Sequence, residues 1–219
     1  RGTHQRNPHR SIVWPRVGAI ARSEASTHVQ QVQGHLRHVP HVQRRTRRNS
    51  ERVTTPRPLR PAVRGLVIDH DNFVLMVRLV FDEGAFWVLP GGGIDADEDH
   101  FTALHRELAE ETGLTGALIG APVWERTHYF SLIDSNDVEW AGQTETVYLV
   151  RTARFDPAPH FTTEQLLSEN LHEHRWWNLD DIAAYSGTDS FAPPNIHVHL
   201  SHIVQHGAPS SPFIINQIS

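Results

Sequence analysis

The stretch from Gly91 to Leu114 limits what this chain can fold into more than any other. Gly91, Gly92 and Gly93 follow an apolar run and Pro90, so the chain must leave regular structure there. Residues 99–112 then carry a helical pattern, with Asp99 placed as N-cap and Gly113 as C-terminal cap. At about 100° per residue, Glu110 and Glu111 fall at about 300° and 40° from Glu107. The three carboxylates therefore share one face. Phe101, Leu104 and Leu108 form the adjacent stripe, which is expected to pack into a core. Acids at i, i+3 and i+4 repel one another on a bare helix. A hard divalent cation, Mg²⁺ or Mn²⁺, is the natural compensation, because such ions prefer carboxylate oxygens. The bland alternative is a solvated acidic face, and for the glycines an ordinary turn.

The flanking segments supply a sheet. Val63 and residues 65–68 form an apolar run, His70-Asp71-Asn72 a turn, and residues 73–80 the second arm of a hairpin. Residues 86–89 read as a short strand leading into the glycine loop. Further strands are expected near 122–132, 144–153 and 173–178, with helices at 179–185 and 197–205. The tail after Gly207, rich in Pro and Ser, is expected to be loop. Strands on both sides of a central helix imply a mixed α/β domain.

Charge divides the chain. All 20 basic residues are Arg, and twelve of them lie in residues 1–57, opposed there only by Glu24 and Glu51. Apolar residues in that segment follow neither a period of 2 nor of 3.6, so it is expected to be disordered and to lie outside the catalytic core. Its arginines could contact nucleic-acid phosphates without sequence preference, or the segment could be an incidental extension. The folded domain is expected over 58–207, with 208–219 as a tail. No run of about 18 apolar residues suggests a membrane span. No charged-then-apolar leader opens the sequence, and there are no cysteines, so disulfides are excluded and a cytoplasmic setting is expected.

Gly92, Glu98, Arg106-Glu107-Leu108, Glu110-Glu111, Gly113 and Leu114 together resemble the Nudix box, G-x5-E-x7-R-E-U-x-E-E-x-G-U with U aliphatic, and all nine specified positions match. The lead-in Trp87-x-Leu-Pro-Gly-Gly and the segment Trp176-Trp177-Asn178-Leu179 extend the resemblance over roughly 60–185. The resemblance implies an α/β/α sandwich around a mixed sheet. It also implies hydrolysis, with divalent metal, of a diphosphate linkage in a nucleoside diphosphate joined to another group X, and it makes a homodimer plausible. It further implies that Glu98 pairs with Arg106.

Site roles follow from both readings. Glu107, Glu110 and Glu111 are expected to hold the metal, and Glu107 or Glu110 is expected to accept the proton of the attacking water. Gly91, Gly92, Gly93 and Arg126 are expected to meet the substrate. Glu145, in a strand where Gln143, Glu145 and Val147 share a face, is an additional candidate base or ligand. It is expected to point toward the helix carboxylates. Glu125 and Glu139 are rivals for that role, and an exposed strand acid is the bland alternative. Trp124, Arg126, His128 and Phe130 alternate along one strand and could face a nucleobase; the alternative is core aromatics and a surface charge. The 17 histidines are scattered and give no clear metal-binding pattern. Two other readings stay open. One is a Nudix-like module that binds nucleotides with little turnover; the other is a nucleic-acid-associated protein acting through the Arg-rich segment.

Overall fold

The apolar runs that flank the glycine loop become the centre of one curved sheet. The computed structural model describes residues 57–134 and 137–216, so the Arg-rich segment, apart from Arg57, lies outside the described residues. Strands β1 (Arg60–Ile68), β2 (Val74–Phe81) and β3 (Gly84–Val88) precede helix α1 (His100–Thr112). Strands β4 (Ile119–Ile133) and β5 (Glu139–Arg151) form a long hairpin. Helix α2 (Thr163–Ser168), strand β6 (Leu171–Trp177), helix α3 (Leu179–Ala183) and strand β7 (Ser190–Phe191) follow. Helix α4 (Ile196–His206) and strand β8 (Phe213–Asn216) end the described chain.

The sheet runs β7-β3-β2-β1-β5-β4-β8, with β6 pairing β2 outside that path. It is mixed: β1 and β5 are parallel over nine residue pairs, from Arg60↔Gln143 to Ile68↔Arg151, while β4 and β5 are antiparallel. Alternation along β1 sorts its side chains onto two faces. Val63 and Val67 pack with Ala103, Leu104 and Leu108 of α1, together with Tyr148 and Val150. Leu66 and Ile68 pack on the other face with Trp87, Trp124, Val147 and Trp177, under Ile182 of α3 and Ile196, Leu200 and Ile203 of α4. Helices on both faces of a mixed sheet make the expected α/β/α sandwich.

The turn after β1 has a local cause. Asp69 is buried and accepts hydrogen bonds from the Asp71 and Phe73 N–H groups and from Arg154 Nε, at 2.9, 2.8 and 2.6 Å. Burial works against its charge, but these donors prevail and hold its pKa below the ordinary value. Asn72 takes the positive φ of 63° that the turn demands.

The fold departs from the sequence reading at Phe101, at helix α2 and in the tail. Phe101 is half exposed (50%) instead of joining the core stripe, because it sits on the first turn at the edge of that stripe and only lies against Tyr148. Helix α2, closed by a Thr162–Gln165 capping box, is too short to show a period in the sequence. The tail is not all loop: Phe213–Asn216 pairs in parallel with Trp124–Thr127 of β4, and Phe213 and Ile215 pack on the α3/α4 core. A boundary at 207, as expected from the sequence, would therefore leave strand β8 outside the domain. A chain ended at Gly207 is expected to melt about 3–10 °C lower, since burying one such side chain is worth a few kcal/mol. Thermal unfolding by circular dichroism checks this; an unchanged midpoint would show the strand to be dispensable.

Candidate active site

The glycine loop lies against β1 in the position a strand would take. Val63 N–H donates to Gly92 O and Gly65 N–H to Pro90 O, both at 2.9 Å, and Ile94 N–H donates to Pro61 O at 3.1 Å. This closeness explains the residue type. Gly91 has φ 130°, and a Cβ there would run into the Val63 carbonyl. A Cβ on Gly92 would stand 2.7 Å from Glu107 Oε1. The loop thus packs against both β1 and the carboxylate face of α1.

Asp99 caps α1 through its carboxylate, which accepts from Thr102 N–H at 2.7 Å. Gly113 ends the helix in the left-handed conformation. Between these caps, Arg106 gathers the acids. Its Nε and Nη2 donate to the two Glu98 oxygens, each at 2.8 Å; Nη1 donates to Glu107 Oε1 at 2.8 Å and Glu110 Oε2 at 3.0 Å; Nη2 also reaches Gly93 O. The Glu98 bond first, then Glu107, raises the Arg106 pKa, so this cation is fixed. Glu111 is held differently, accepting from Gly91 N–H at 2.7 Å.

The electrostatics of these acids are unfavourable. Burial raises the pKa of Glu107 despite Arg106. Burial and then the Glu107 charge raise that of Glu111 well above the ordinary carboxylate value, against the pull of Gly91 N–H and Arg64. A fourth acid, Glu169, belongs to the same field. It stands at the C-terminal cap of α2, beside the start of β6, and is exposed. The protein around its carboxyl, then the charges of Glu107 and Glu110, push its pKa up to about 7. His174 on β6, kept neutral by burial, meets the Glu111 carbonyl at 2.7 Å and ties this strand to α1.

Among the described residues no three acidic or imidazole side chains converge as ready-made metal ligands, because Arg106 draws Glu107 and Glu110 while Gly91 takes Glu111. The donor set nonetheless fits a hard divalent cation. It offers only carboxylate oxygens, it is partly buried, and the pKa values of Glu107, Glu111 and Glu169 are raised.

Glu145 is not part of this cluster. It shares its face of β5 with Val147, which packs under α3 and α4, whereas Tyr148 and Val150 face α1. The expectation that it points toward Glu107, Glu110 and Glu111 is therefore corrected: strand alternation fixes which residues share a face, but not which face meets the helix. Glu145 Oε1 instead accepts from Arg64 Nε at 2.6 Å and Gln143 Nε2 at 2.9 Å, with Arg126 Nη1 3.4 Å from Oε2. Burial opposes its charge, but Arg64 first, then His128 and Arg126, hold its pKa well below the usual carboxylate range. A carboxylate so held is a poor proton acceptor at neutral pH. Arg126 is likewise buried (6% exposed) beside Glu145, on the face it shares with Trp124 and His128. Glu139 is spent on an exposed ion pair with Arg57, and Glu125 faces the α1 side near Tyr148. Glu169 was missed because neither a period nor a motif marks it; only the α2 turn brings it to the cluster.

The family model for the NUDIX domain matches residues 58–196. The chain belongs to the Nudix family. An RNA pyrophosphohydrolase of Pelagibacter ubique is 42% identical over 57 residues, which cover 26% of this chain and 36% of that protein. An RNA pyrophosphohydrolase of Sphingopyxis alaskensis is 28% identical over 131 residues, covering 57% of this chain and 81% of that protein. The chain thus spans only about a third of the length of the first relative and most of the second. A crystal structure of a MutT protein from Methanosarcina mazei Go1 superposes with a TM-score of 0.48 at 17% identity, over 69% of this chain and 97% of that one. Among the described residues no helix is long and apolar enough to cross a membrane.

Proposed function

We propose that this chain is a metal-dependent hydrolase of a diphosphate linkage in a nucleoside diphosphate joined to another group X. The observation that carries the reading is the gathering of Glu107 and Glu110 on Arg106, and of Glu111 on the Gly91 N–H, beside a glycine loop packed against Glu107. Such a site repels substrate phosphates unless a cation intervenes. Glu107, Glu110 and Glu111 would hold Mg²⁺ or Mn²⁺, which supplies positive charge against the diphosphate and acidifies water.

The protein's own residues do the rest. Arg106 anchors Glu98 and the Gly93 carbonyl to α1, and so fixes the loop over the carboxylates. Glu169, with its pKa near neutrality and its exposure to solvent, is the acceptor assigned to the proton of the attacking water. It takes that role from Glu107 and Glu110, which Arg106 engages. Positioning and charge neutralisation carry most of the acceleration in such transfers.

The relatives named RNA pyrophosphohydrolase favour one substrate class, an RNA that carries a diphosphate linkage. The test is a panel of nucleoside triphosphates, sugar nucleotides, dinucleoside polyphosphates and a 5′-triphosphate RNA, each with Mg²⁺ or Mn²⁺ and product analysis. Cleavage of at least one diphosphate linkage, abolished by chelator, is the expected result. No turnover across the panel in either metal would overturn the reading in favour of a nucleotide-binding module.

A further inference from the structure

Arg64 and Glu145 lie on the sheet face away from α1, and the reaction above gives neither a role. Arg64 lies on β1, on the face it shares with Leu66 and Ile68, and its guanidinium reaches out beneath the glycine loop. Nη1 donates to Leu89 O at 2.7 Å and to Gly91 O at 2.9 Å. These two carbonyls bracket the Pro90–Gly91 peptide. That peptide carries the Gly91 N–H, which donates to Glu111 at 2.7 Å, and the Pro90 O, which accepts from Gly65 N–H. The third contact of Arg64 is Nε to Glu145 at 2.6 Å.

A guanidinium is planar, so fixing one edge fixes the direction of the other. Glu145 is itself immobilised: it is 2% exposed, receives Gln143 Nε2, and has Arg126 and His128 beside it. We propose that Glu145 is a positioning residue that acts through Arg64: it sets the guanidinium plane that clamps the Pro90–Gly91 peptide, and thereby aims Glu111 within the carboxylate cluster. The path runs Glu145, Arg64, the Leu89 and Gly91 carbonyls, the Gly91 N–H, Glu111. A change on one face of the sheet is thus felt by a carboxylate on the other face. The metal-related half of the proposal rests on the functional reading above; the geometric half does not.

The test compares Glu145→Gln, Arg64→Met and the double variant with the parent chain. Three quantities are read: hydrogen exchange of the Gly91 amide without added metal, Mn²⁺ affinity by calorimetry, and turnover against Mn²⁺ concentration. The Gln side chain still offers Arg64 an acceptor, but a neutral one, and charge-assisted hydrogen bonds are roughly twice as strong. Glu145→Gln is expected to speed Gly91 exchange about tenfold and weaken Mn²⁺ binding about tenfold. Its turnover loss should be recovered at saturating Mn²⁺, with KM unchanged. In the Arg64→Met background, the added Glu145→Gln should change nothing further.

A turnover loss that persists at saturating Mn²⁺ with normal Gly91 exchange would overturn the proposal, because Glu145 would then act directly. Unchanged Gly91 exchange in Glu145→Gln would overturn it as well. Arg64→Met strands a buried carboxylate and could fail to fold; Glu145→Gln alone still decides the exchange outcome. Because that exchange is read without metal or substrate, it tests the clamp even if the chain hydrolyses nothing. Unchanged Mn²⁺ affinity in Glu110→Gln and Glu111→Gln would instead count against the metal site itself.

Discussion

Replacing Glu111 by Gln, or Glu110 by Gln, is expected to lower turnover by about 100-fold or more, since charge stabilisation by a bound metal is worth several kcal/mol. Gln keeps the size of the side chain, and at position 111 it keeps an oxygen to accept the Gly91 N–H. The fold should survive, and Glu111→Gln should do better than survive. Burial and the Glu107 charge raise the Glu111 pKa, so its folded value lies above its unfolded one. The folded chain then binds more protons than the unfolded chain between those two values. Its metal-free stability therefore falls as pH rises from the ordinary carboxylate value toward the raised one. Glu111→Gln removes that decline. Without metal at neutral pH, the variant should melt no lower than the parent. Added Mn²⁺ should raise the melting temperature of the parent but hardly that of the variant. Equal Mn²⁺ stabilisation of both, with turnover intact, would show that Glu111 holds no metal.

Glu169→Gln is expected to cost about 10²-fold or more in turnover, the usual contribution of a positioned general base. Substrate affinity should change little, because a proton acceptor acts chiefly in the transition state. The pH dependence separates this role from a simple ligand role. With a pKa of about 7, Glu169 loses its proton as pH rises through neutrality, so kcat/KM of the parent should climb over that range. Bound cation favours the charged form and moves this limb toward lower pH. The Gln variant should lose the limb along with the rate. A variant that keeps both its rate and its acidic limb would remove Glu169 from the mechanism and return the role to Glu107 or Glu110.

These two residues were differently legible. Glu111 stands in a motif whose spacing is that of a helix face, and one helix turn is local enough to be computed from the chain alone. Glu169 stands between a six-residue helix and a strand, and nothing in its neighbours' pattern distinguishes it. The same contrast holds for Glu145. Its period-2 alternation with Gln143 and Val147 is present in the sequence, and all three are indeed buried on one side. Which side meets α1 depends on the pairing of β5 with β1 and β4, a choice made across 81 residues of separation for the Arg64–Glu145 contact. Strand β8 was hidden for a related reason: four residues after a Pro- and Ser-rich turn become a strand only because the edge of β4 is there to pair with.

What the sequence determined by itself was therefore whatever depends on near neighbours. It set the glycine loop, the capped helix with Glu107, Glu110 and Glu111 on one face, the Asp69 turn region, and the apolar runs that become β1, β2 and β3. Tertiary structure decided whatever depends on which faces meet. It brought Glu169 to the acids, placed Glu145 behind the sheet, and bent the Arg64 side chain under the loop. The physical reason is that helical and strand periods are properties of a backbone a few residues long, whereas a buried charge finds its partners only when the whole sheet closes around it.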